Sequence, residues 1–336
     1  MRKNLWDYSR GIGIIIVVYG HVLRGLNSGG IVPSEHWITA SDYVIYTFHM
    51  PLFFLLAGMN ASKGLARNGF LKNKLMTVVY PYILWSFLQG LIQVAMSGST
   101  NSPLYLSDLF SAILWRPLGQ FWFLYALFLC NIFVYIIASS RMMIIIFSLF
   151  AYVLSIYFDW GILSKSLNFF IYYVLGLLVT DHLKLFVERL ANPVGIASVF
   201  IGLGISIYVA KQLGGYSDPW AMPAAAFGML FVLQVSAVLA RSNKAKSIEW
   251  LGLASMPIYL MHILAASGAR IVLLKFGFTN MYLHLGVGIS MGILFPLTIY
   301  YFIYLLKKEK FFGFARGAIV FAKTPLPIFS PENDRV

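Results

Sequence analysis

Long apolar stretches alternate with short polar connections along almost the whole chain. Each stretch approaches the roughly 20 apolar residues that a helix needs to cross about 30 Å of hydrocarbon. The predicted spans are 11–26, 43–62, 74–97, 119–138, 142–159, 166–182, 193–213, 219–240, 247–273 and 283–306. The ninth is long and contains Gly and Ser, so we expect it to be tilted or broken. The pattern predicts an all-α polytopic membrane bundle of about ten helices, with residues 1–310 as one transmembrane domain and 311–336 as a cytoplasmic tail.

Composition supports an integral membrane protein. Apolar residues make up 60% of the 336 positions and charged residues only 11%, and the mean hydropathy is +0.78. A soluble domain carries about 25% charged residues, so a soluble class is excluded. The aromatic content of 17% excludes disorder. The single cysteine, Cys130, excludes a disulfide scaffold and a cysteine-based zinc site.

The Lys and Arg residues are distributed unevenly between alternate connections. Counting from the N-terminus, 19 of the 25 fall on one side of the predicted spans and 6 on the other. Cytoplasmic loops are enriched in Lys and Arg, so the bias predicts that both termini are cytoplasmic. The net charge of +13 then reflects topology rather than a nucleic-acid partner. We expect the protein in the cytoplasmic membrane, the inner membrane of a bacterium.

His21 is an ionisable residue inside the first span, where such residues are costly and usually functional. It lies eleven residues after Arg10. At about 100° and 1.5 Å per residue, the two side chains share one helix face about 16 Å apart. Ile14 and Val17 lie between them on that face. The alternative is a structural histidine bonded to a neighbouring carbonyl, with Arg10 at the membrane edge.

His49 lies in the second span, two residues before Pro51. The second span runs antiparallel to the first, so His49 and His21 are expected at similar depth. Pro51 removes a backbone donor and loosens the helix beside His49. The alternative is a Pro-kinked span with a buried polar residue.

A basic connection follows the second span and contains Lys63, Arg67, Lys72 and Lys74. It is either a topology signal or a site for the phosphates of an anionic ligand. Later spans carry Trp122 and the group Ser255, Tyr259 and His262; the last three share one helix face. Aromatic residues near span ends are often interfacial anchors, which is the alternative to a ligand-binding role.

Several of these segments resemble the membrane acyltransferase-3 family. Arg10 and His21 match its R/K-x10-H signature, and the intervening GIGIIIVVYG is closest to the branch of fucose 4-O-acetylases and exopolysaccharide acetyltransferases. Further matches follow in order at 48–54, 80–82, 122–124 and 255–262. The second-span motif has Ala57-Gly58 where Ser-Gly is usual, which is a mild departure.

The resemblance implies transfer of an acetyl group from cytoplasmic acetyl-CoA to a hydroxyl of a surface carbohydrate, lipid-linked or polymeric. We expect His21 to act as general base, a task that suits a neutral imidazole; a brief acyl-imidazole remains open. His49 is expected to position the thioester or to stabilise oxyanion charge. The residues expected to hold the CoA phosphates are Arg10, Arg67, Lys72 and Lys74. The residues expected on the acceptor side are Trp122, Tyr259 and His262.

Two other classes of function remain open on the sequence. A transporter or flippase for a polyprenyl-linked or anionic sugar has a similar number of spans and a similar basic face. A structural or sensory membrane protein is disfavoured, because the polar face of the first span is expensive to maintain. No metal and no nucleic acid are expected as partners.

Overall fold

The computed structural model describes residues 5–62, 64–65, 69–99, 101, 103–137, 140–242 and 245–314, leaving aside the side chains of Ser99 and Asp181. Its regular structure consists of thirteen α-helices, short 3-10 helices and one π-helical segment at Leu75–Val79. The helices are α1 (Leu5–Ser28), α2 (Ala40–Ser62), α3 (Phe70–Lys74), α4 (Tyr80–Ala95), α5 (Leu109–Leu114), α6 (Trp122–Ile137), α7 (Arg141–Tyr157), α8 (Ile162–Leu190), α9 (Pro193–Leu213), α10 (Met222–Ser242), α11 (Lys246–Leu253), α12 (Ser255–Lys275) and α13 (Met281–Leu305).

The predicted membrane bundle is confirmed. Nine helical segments of the described residues are long and apolar enough to cross a membrane. The remaining predicted span is α7, an apolar helix of 17 residues. At 1.5 Å per residue it is about 26 Å long, close to the hydrocarbon thickness. The cytoplasmic location of the termini stays a prediction.

The long ninth span is broken, as its composition led us to expect. It forms two helices, α11 and α12, which meet at Ala254. Pro257 explains the position of the break. It has no N–H to donate to the carbonyl of Leu253, and its ring would collide with that carbonyl in a continuous helix. The chain therefore turns before Pro257 and restarts as α12.

The helix α1 is central to the bundle and packs against α2, α10, α11, α12 and α13. Its first half approaches α11 closely, because each of the two helices has a glycine at the contact, Gly11 in α1 and Gly252 in α11. A Cβ on Gly11 would collide with the carbonyl of Ile248, and one on Gly252 would collide with the carbonyl of Asp7. The resulting contact fixes the end of α1 that carries Arg10.

Residues 311–314 fold back onto α4. The indole of Trp85 donates to the carbonyl of Phe312 at 3.0 Å, and the rings of Phe312 and Phe314 lie beside it. Residues 315–336 lie outside the described part of the chain. The division between a domain ending at 310 and a tail from 311 stays a prediction.

Candidate active site

His21 lies where two cavities of the bundle meet. Cavity A has a volume of about 410 Å³ and lies between α2, α8 and the connection before α10. Cavity B has a volume of about 780 Å³ and lies between α1, α4, α12 and α13. His21 and Arg24 are the residues that line both cavities. The half-buried His21 imidazole makes no hydrogen bond to any described residue, so both ring nitrogens are available to a ligand.

Two further rings lie beside His21, and a third lies beside one of them. The His262 ring lies 5.1 Å away, measured between ring centroids, and the Tyr46 ring lies 6.2 Å away. Tyr46 in turn contacts His49 at 4.5 Å. Both His21 and His49 line cavity A, so the two predicted histidines face the same space.

His49 and His262 are held in the same way by the carbonyls of their own helices. The Nδ1 atom of His49 donates to the carbonyl of Ile45 at 2.8 Å. The Nδ1 atom of His262 donates to the carbonyls of Tyr259 at 2.8 Å and Ile258 at 3.1 Å. A carbonyl can only accept, so Nδ1 carries the hydrogen in both rings. Each neutral ring therefore presents the lone pair of Nε2.

The Nε2 atom of His262 is buried without a hydrogen-bond partner among the described residues. The whole side chain is 0% exposed. An unsatisfied buried acceptor costs about 1–3 kcal/mol, so such groups are uncommon without a functional reason. The ring closest to it among the described aromatic contacts is the His21 imidazole.

Arg24 forms a polar network next to His21. Its guanidinium donates two hydrogen bonds to the Asp42 carboxylate, at 2.8 Å and 2.9 Å. The same group lies 3.0 Å from the centroid of the Tyr46 ring and 5.2 Å from that of Tyr216. The two-point contact fixes both side chains and joins the end of α1 to the start of α2.

Cavity A combines aromatic walls with hydroxyl, amide and carboxylate groups. Trp122 is one wall; the Lys165 ammonium lies 5.6 Å from its ring. The polar lining includes Asn168, Asp159 and Asp218. Aromatic faces pack on the apolar face of a ring, while carboxylates and amides accept hydrogen bonds from hydroxyl groups.

Arg10 lies at the other end of α1 and lines neither cavity. It donates to the Asp7 carboxylate at 2.5 Å and to the side-chain oxygen of Asn60 at 3.0 Å. Ile14 and Val17, which lie between Arg10 and His21, are 0% and 3% exposed. The space between the two predicted site residues is therefore filled by packed side chains.

The basic connection is only partly described. Lys72 is exposed, and the Lys74 ammonium lies 5.3 Å from the ring of Phe70. Arg67 lies outside the described residues. Neither Lys72 nor Lys74 lines cavity A or cavity B, so the assignment of this connection to a donor stays a prediction.

The three predicted acceptor-side residues have different surroundings. Trp122 lines cavity A. Tyr259 is buried beside Phe123, and its hydroxyl donates to the carbonyl of Gln120. His262 is buried behind His21 and lines neither cavity. The structure thus places Trp122 on the surface of cavity A and His262 next to the imidazole of His21. Tyr259 packs between helices.

The partners of Arg24 and much of the cavity lining were not predicted from the sequence. Arg24 lies three residues after His21 and therefore on nearly the same helix face. That spacing was a usable signal for Arg24. Asp42 and Tyr46 had no comparable signal, because their role depends on how α2 docks against α1. Within the described residues, no three His, Cys, Asp or Glu side chains are grouped as a metal site would require.

The fold and this polar centre define a polytopic integral membrane protein with a buried histidine site. Comparison with known families agrees with that class and identifies one family within it. Residues 4–305 match the acyltransferase-3 family, described as an acyltransferase domain. The chain therefore belongs to this family, and the resemblance of its motifs is confirmed.

Two curated relatives are similar over part of the chain. Nodulation protein NolL of Mesorhizobium japonicum is 27% identical over 141 residues, covering 41% of this chain and 36% of the relative. Nodulation protein NolL of Sinorhizobium fredii is 30% identical over 132 residues, covering 37% of this chain and 34% of the relative. The matched regions span about a third of the length of these relatives. No solved structure matches the chain.

Proposed function

We propose that this acyltransferase moves an acetyl group from acetyl-CoA to a hydroxyl of a carbohydrate, lipid-linked or polymeric. The observation that carries the proposal is the unpaired His21 imidazole at the junction of cavities A and B. A group-transfer site needs a proton acceptor where two substrates meet. Membership of the acyltransferase family supports the reaction class.

In the proposed reaction, an unprotonated nitrogen of His21 accepts the proton of the acceptor hydroxyl. The hydroxyl oxygen attacks the thioester carbonyl carbon, and the carbon–sulfur bond then breaks. The CoA sulfur takes the proton back from His21, so the products are an acetyl ester and the free CoA thiol. Transfer through an acetylated His21 has the same overall balance and uses the same nitrogen as nucleophile.

The hydrogen bonding of His49 narrows its role in this scheme. A neutral His49 donates through Nδ1 to Ile45 and offers only a lone pair at Nε2. It therefore suits the positioning of a sugar hydroxyl, which donates a hydrogen bond. The two roles expected from the sequence, positioning the thioester and stabilising an oxyanion, both need a hydrogen-bond donor at Nε2 and therefore the doubly protonated ring.

Cavity A is the proposed acceptor site. It contains the Trp122 ring, two carboxylates and His49 beside His21. This mixture suits a polyhydroxylated ring that packs on an aromatic face and donates hydrogen bonds through its hydroxyl groups. The volume of about 410 Å³ is in the range of small-molecule sites, which are about 300–1,000 Å³.

The proposed donor site is at the opposite end of α1. Arg10, Arg67, Lys72 and Lys74 would hold the CoA phosphates there. The pantetheine arm must then cover about 16 Å to reach His21. Since Ile14 and Val17 are buried along this line, the proposal requires neighbouring helices to separate when the donor binds.

The test is acetyl transfer by purified His21→Gln and His21→Ala in detergent, with acetyl-CoA binding and thermal unfolding measured in parallel. Glutamine keeps a polar side chain but cannot accept a proton at neutral pH. We expect transfer to fall by about 10²–10⁴-fold, the usual contribution of a general base, while acetyl-CoA binding and folding survive.

His182→Gln is the matched control, because His182 is exposed in the last third of α8 and lines neither cavity, so this variant should retain wild-type turnover. Near-normal turnover of His21→Gln would make His21 structural. Absence of any transfer by the wild-type protein in detergent, together with sugar movement between two compartments, would favour the transporter or flippase.

A further inference from the structure

Cavity B is basic, in contrast to cavity A. Arg116 and Arg270 line it in addition to the shared residues His21 and Arg24. No Asp or Glu of the described residues lines it. The positive charge of Arg116 and Arg270 is therefore not balanced inside the cavity, whereas that of Arg24 is balanced by Asp42.

Both arginines have donors to spare. Arg270 is 8% exposed and donates one hydrogen bond, to the carbonyl of Gly25. The Arg116 side chain makes no hydrogen bond or ion pair to another described residue. A guanidinium has five N–H donors in a planar fork, the geometry that binds phosphate or carboxylate oxygens in pairs.

His284 provides an independent indication of a missing ligand. It lines cavity B and is 1% exposed. Its Nε2 atom donates to the carbonyl of Phe278 at 2.9 Å, and its Nδ1 atom has no partner among the described residues. A buried polar atom left open at a cavity wall is expensive unless a ligand or water satisfies it. Because Nε2 carries the hydrogen, Nδ1 is an acceptor in the neutral ring, so a hydroxyl group of the ligand or a water satisfies it, and a phosphate oxygen does so only when the ring is doubly protonated.

The surroundings of cavity B are apolar and suited to a membrane interface. Apolar side chains such as Ile92, Met96 and Ile271 also line it. Phe110 and Trp115, which precede Arg116 in the chain, are 75% and 71% exposed. Exposed aromatic residues of this kind anchor a segment at the level of the lipid headgroups. The ligand of cavity B is therefore expected to be amphiphilic as well as anionic.

We propose that cavity B binds the phosphate group of a lipid, with Arg116 and Arg270 on the phosphate oxygens and the apolar lining on the adjoining chain. This inference rests on the proposed function, since it makes the acceptor a sugar carried on a lipid phosphate. The sugar would then lie in cavity A, and the phosphate in cavity B, on either side of His21.

Binding to the purified protein in dodecyl maltoside tests the proposal without any transfer reaction. The probe is dodecyl phosphate; dodecanol supplies the chain without the charge, and inorganic phosphate supplies the charge without the chain. We expect dodecyl phosphate to bind at least about tenfold more tightly than either. Equal affinity for dodecanol would mean that the arginines do not recognise the headgroup. Equal affinity for inorganic phosphate would mean a site for a small ion.

Substitutions of single basic residues show where dodecyl phosphate binds. Arg116→Gln should weaken dodecyl phosphate binding about tenfold, because a charge-assisted pair of hydrogen bonds is lost. Lys275→Gln removes an exposed charge from the end of α12, outside both cavities, and should change nothing. Arg270→Lys keeps the positive charge but loses the forked guanidinium, so it should also weaken dodecyl phosphate binding. The unfolding temperature of this variant shows whether the contact to the Gly25 carbonyl survives.

Three results separate this inference from competing explanations. If Lys165→Gln in cavity A weakens the probe as much as Arg116→Gln does, the phosphate lies in cavity A and the proposal is wrong. If Arg116→Gln weakens acetyl-CoA equally, cavity B belongs to the donor. Transfer by His21→Gln is measured separately; if that variant keeps transfer, the proposed function fails, whereas the effect of Arg116→Gln on dodecyl phosphate binding decides the lipid site by itself.

Discussion

A single hydrogen-bonding pattern determines what His49 and His262, the two buried histidines of the ring cluster around His21, can do. In His49 and His262 the Nδ1 hydrogen is bonded to a backbone carbonyl of the preceding turn. Backbone carbonyls of a helix do not move independently, so these contacts fix both ring orientation and tautomer. His21 has no such contact and is the ring that is free to exchange a proton with a ligand. All three side chains are imidazoles, so their different roles follow from their different hydrogen-bond partners.

The open Nε2 of His262 predicts a positioning role toward His21. The two ring centroids are 5.1 Å apart, and a His21 N–H directed at this acceptor would leave the other His21 nitrogen as the base. His262→Gln keeps an acceptor close to the Nε2 position, whereas His262→Asn has its polar atoms close to Nδ1. We expect kcat of His262→Asn to fall about two- to tenfold, the factor that a hydrogen bond of about 0.5–1.5 kcal/mol supplies.

Steady-state kinetics and unfolding temperatures of the two variants check this role. The KM for acetyl-CoA should stay unchanged in both, and His262→Gln should recover most of the activity. A merely structural His262 would give equal losses in the two variants, with a lowered unfolding temperature that follows the loss of activity.

At the level of elements, the contact between α2 and α8 depends on two glycines that face each other's backbone. A Cβ on Gly58 would collide with the carbonyl of Tyr173, and one on Gly176 would collide with the carbonyl of Leu55. Small residues allow helices in a membrane to approach closely and gain van der Waals contact. Since α2 carries His49 and α8 carries Asn168, this contact also sets the spacing across cavity A.

The reciprocal glycines predict an overpacking defect. Gly176→Ala should destabilise the protein by about 1–3 kcal/mol, because two backbones must separate to admit the methyl group. Gly204→Ala in α9 is the control: no atom lies within 4 Å of a Cβ there, and alanine favours a helix by about 0.5–1 kcal/mol. Thermal unfolding in detergent should rank Gly204→Ala at or above the wild type and Gly176→Ala below it. An unchanged midpoint for Gly176→Ala would contradict the close approach.

Hydropathy was sufficient to predict the long membrane helices, because a membrane span must be long, apolar and internally hydrogen-bonded. The short helices α3 and α5 lie outside the predicted spans, apart from Lys74 at the end of α3. The span predicted at 193–213 begins and ends at the observed residues of α9. The predicted break in the ninth span is located by Pro257, a local signal. By contrast, α8 continues past the predicted end at 182 to Leu190, since a helix can extend beyond the hydrocarbon with polar residues that carry no hydropathy signal.

For the molecule as a whole, the chemistry of the site was less predictable than its position. The spacing of Arg10 and His21 follows from helix geometry, and it places His21 within the membrane. The cavities depend on which helices become neighbours, and that information is not contained in any one span. Arg116 illustrates the point: it counted only as one of six cations on the sparsely charged side, yet the fold brings it to the cavity that His21 lines.

The orientation of the whole bundle is the prediction on which the placement of donor and acceptor depends. The bias of 19 to 6 in Lys and Arg predicts that Arg10 lies at the cytoplasmic face and both cavities toward the opposite face. Three exposed serines allow conservative cysteine substitutions: Ser34 between α1 and α2, Ser107 between α4 and α5, and Ser247 in α11.

Labelling of intact cells with a membrane-impermeant thiol reagent reads the orientation directly. Ser34→Cys and Ser107→Cys should react, and Ser247→Cys should react only after the cells are opened. The wild type provides the background, because its single cysteine, Cys130, is fully buried. Reaction of Ser247→Cys in intact cells, with protection of the other two, would put Arg10 outside the cell. Cytoplasmic acetyl-CoA would then have to enter through the cavities, and cavity B, with Arg116 and Arg270, would become the donor site instead of a site for a lipid phosphate.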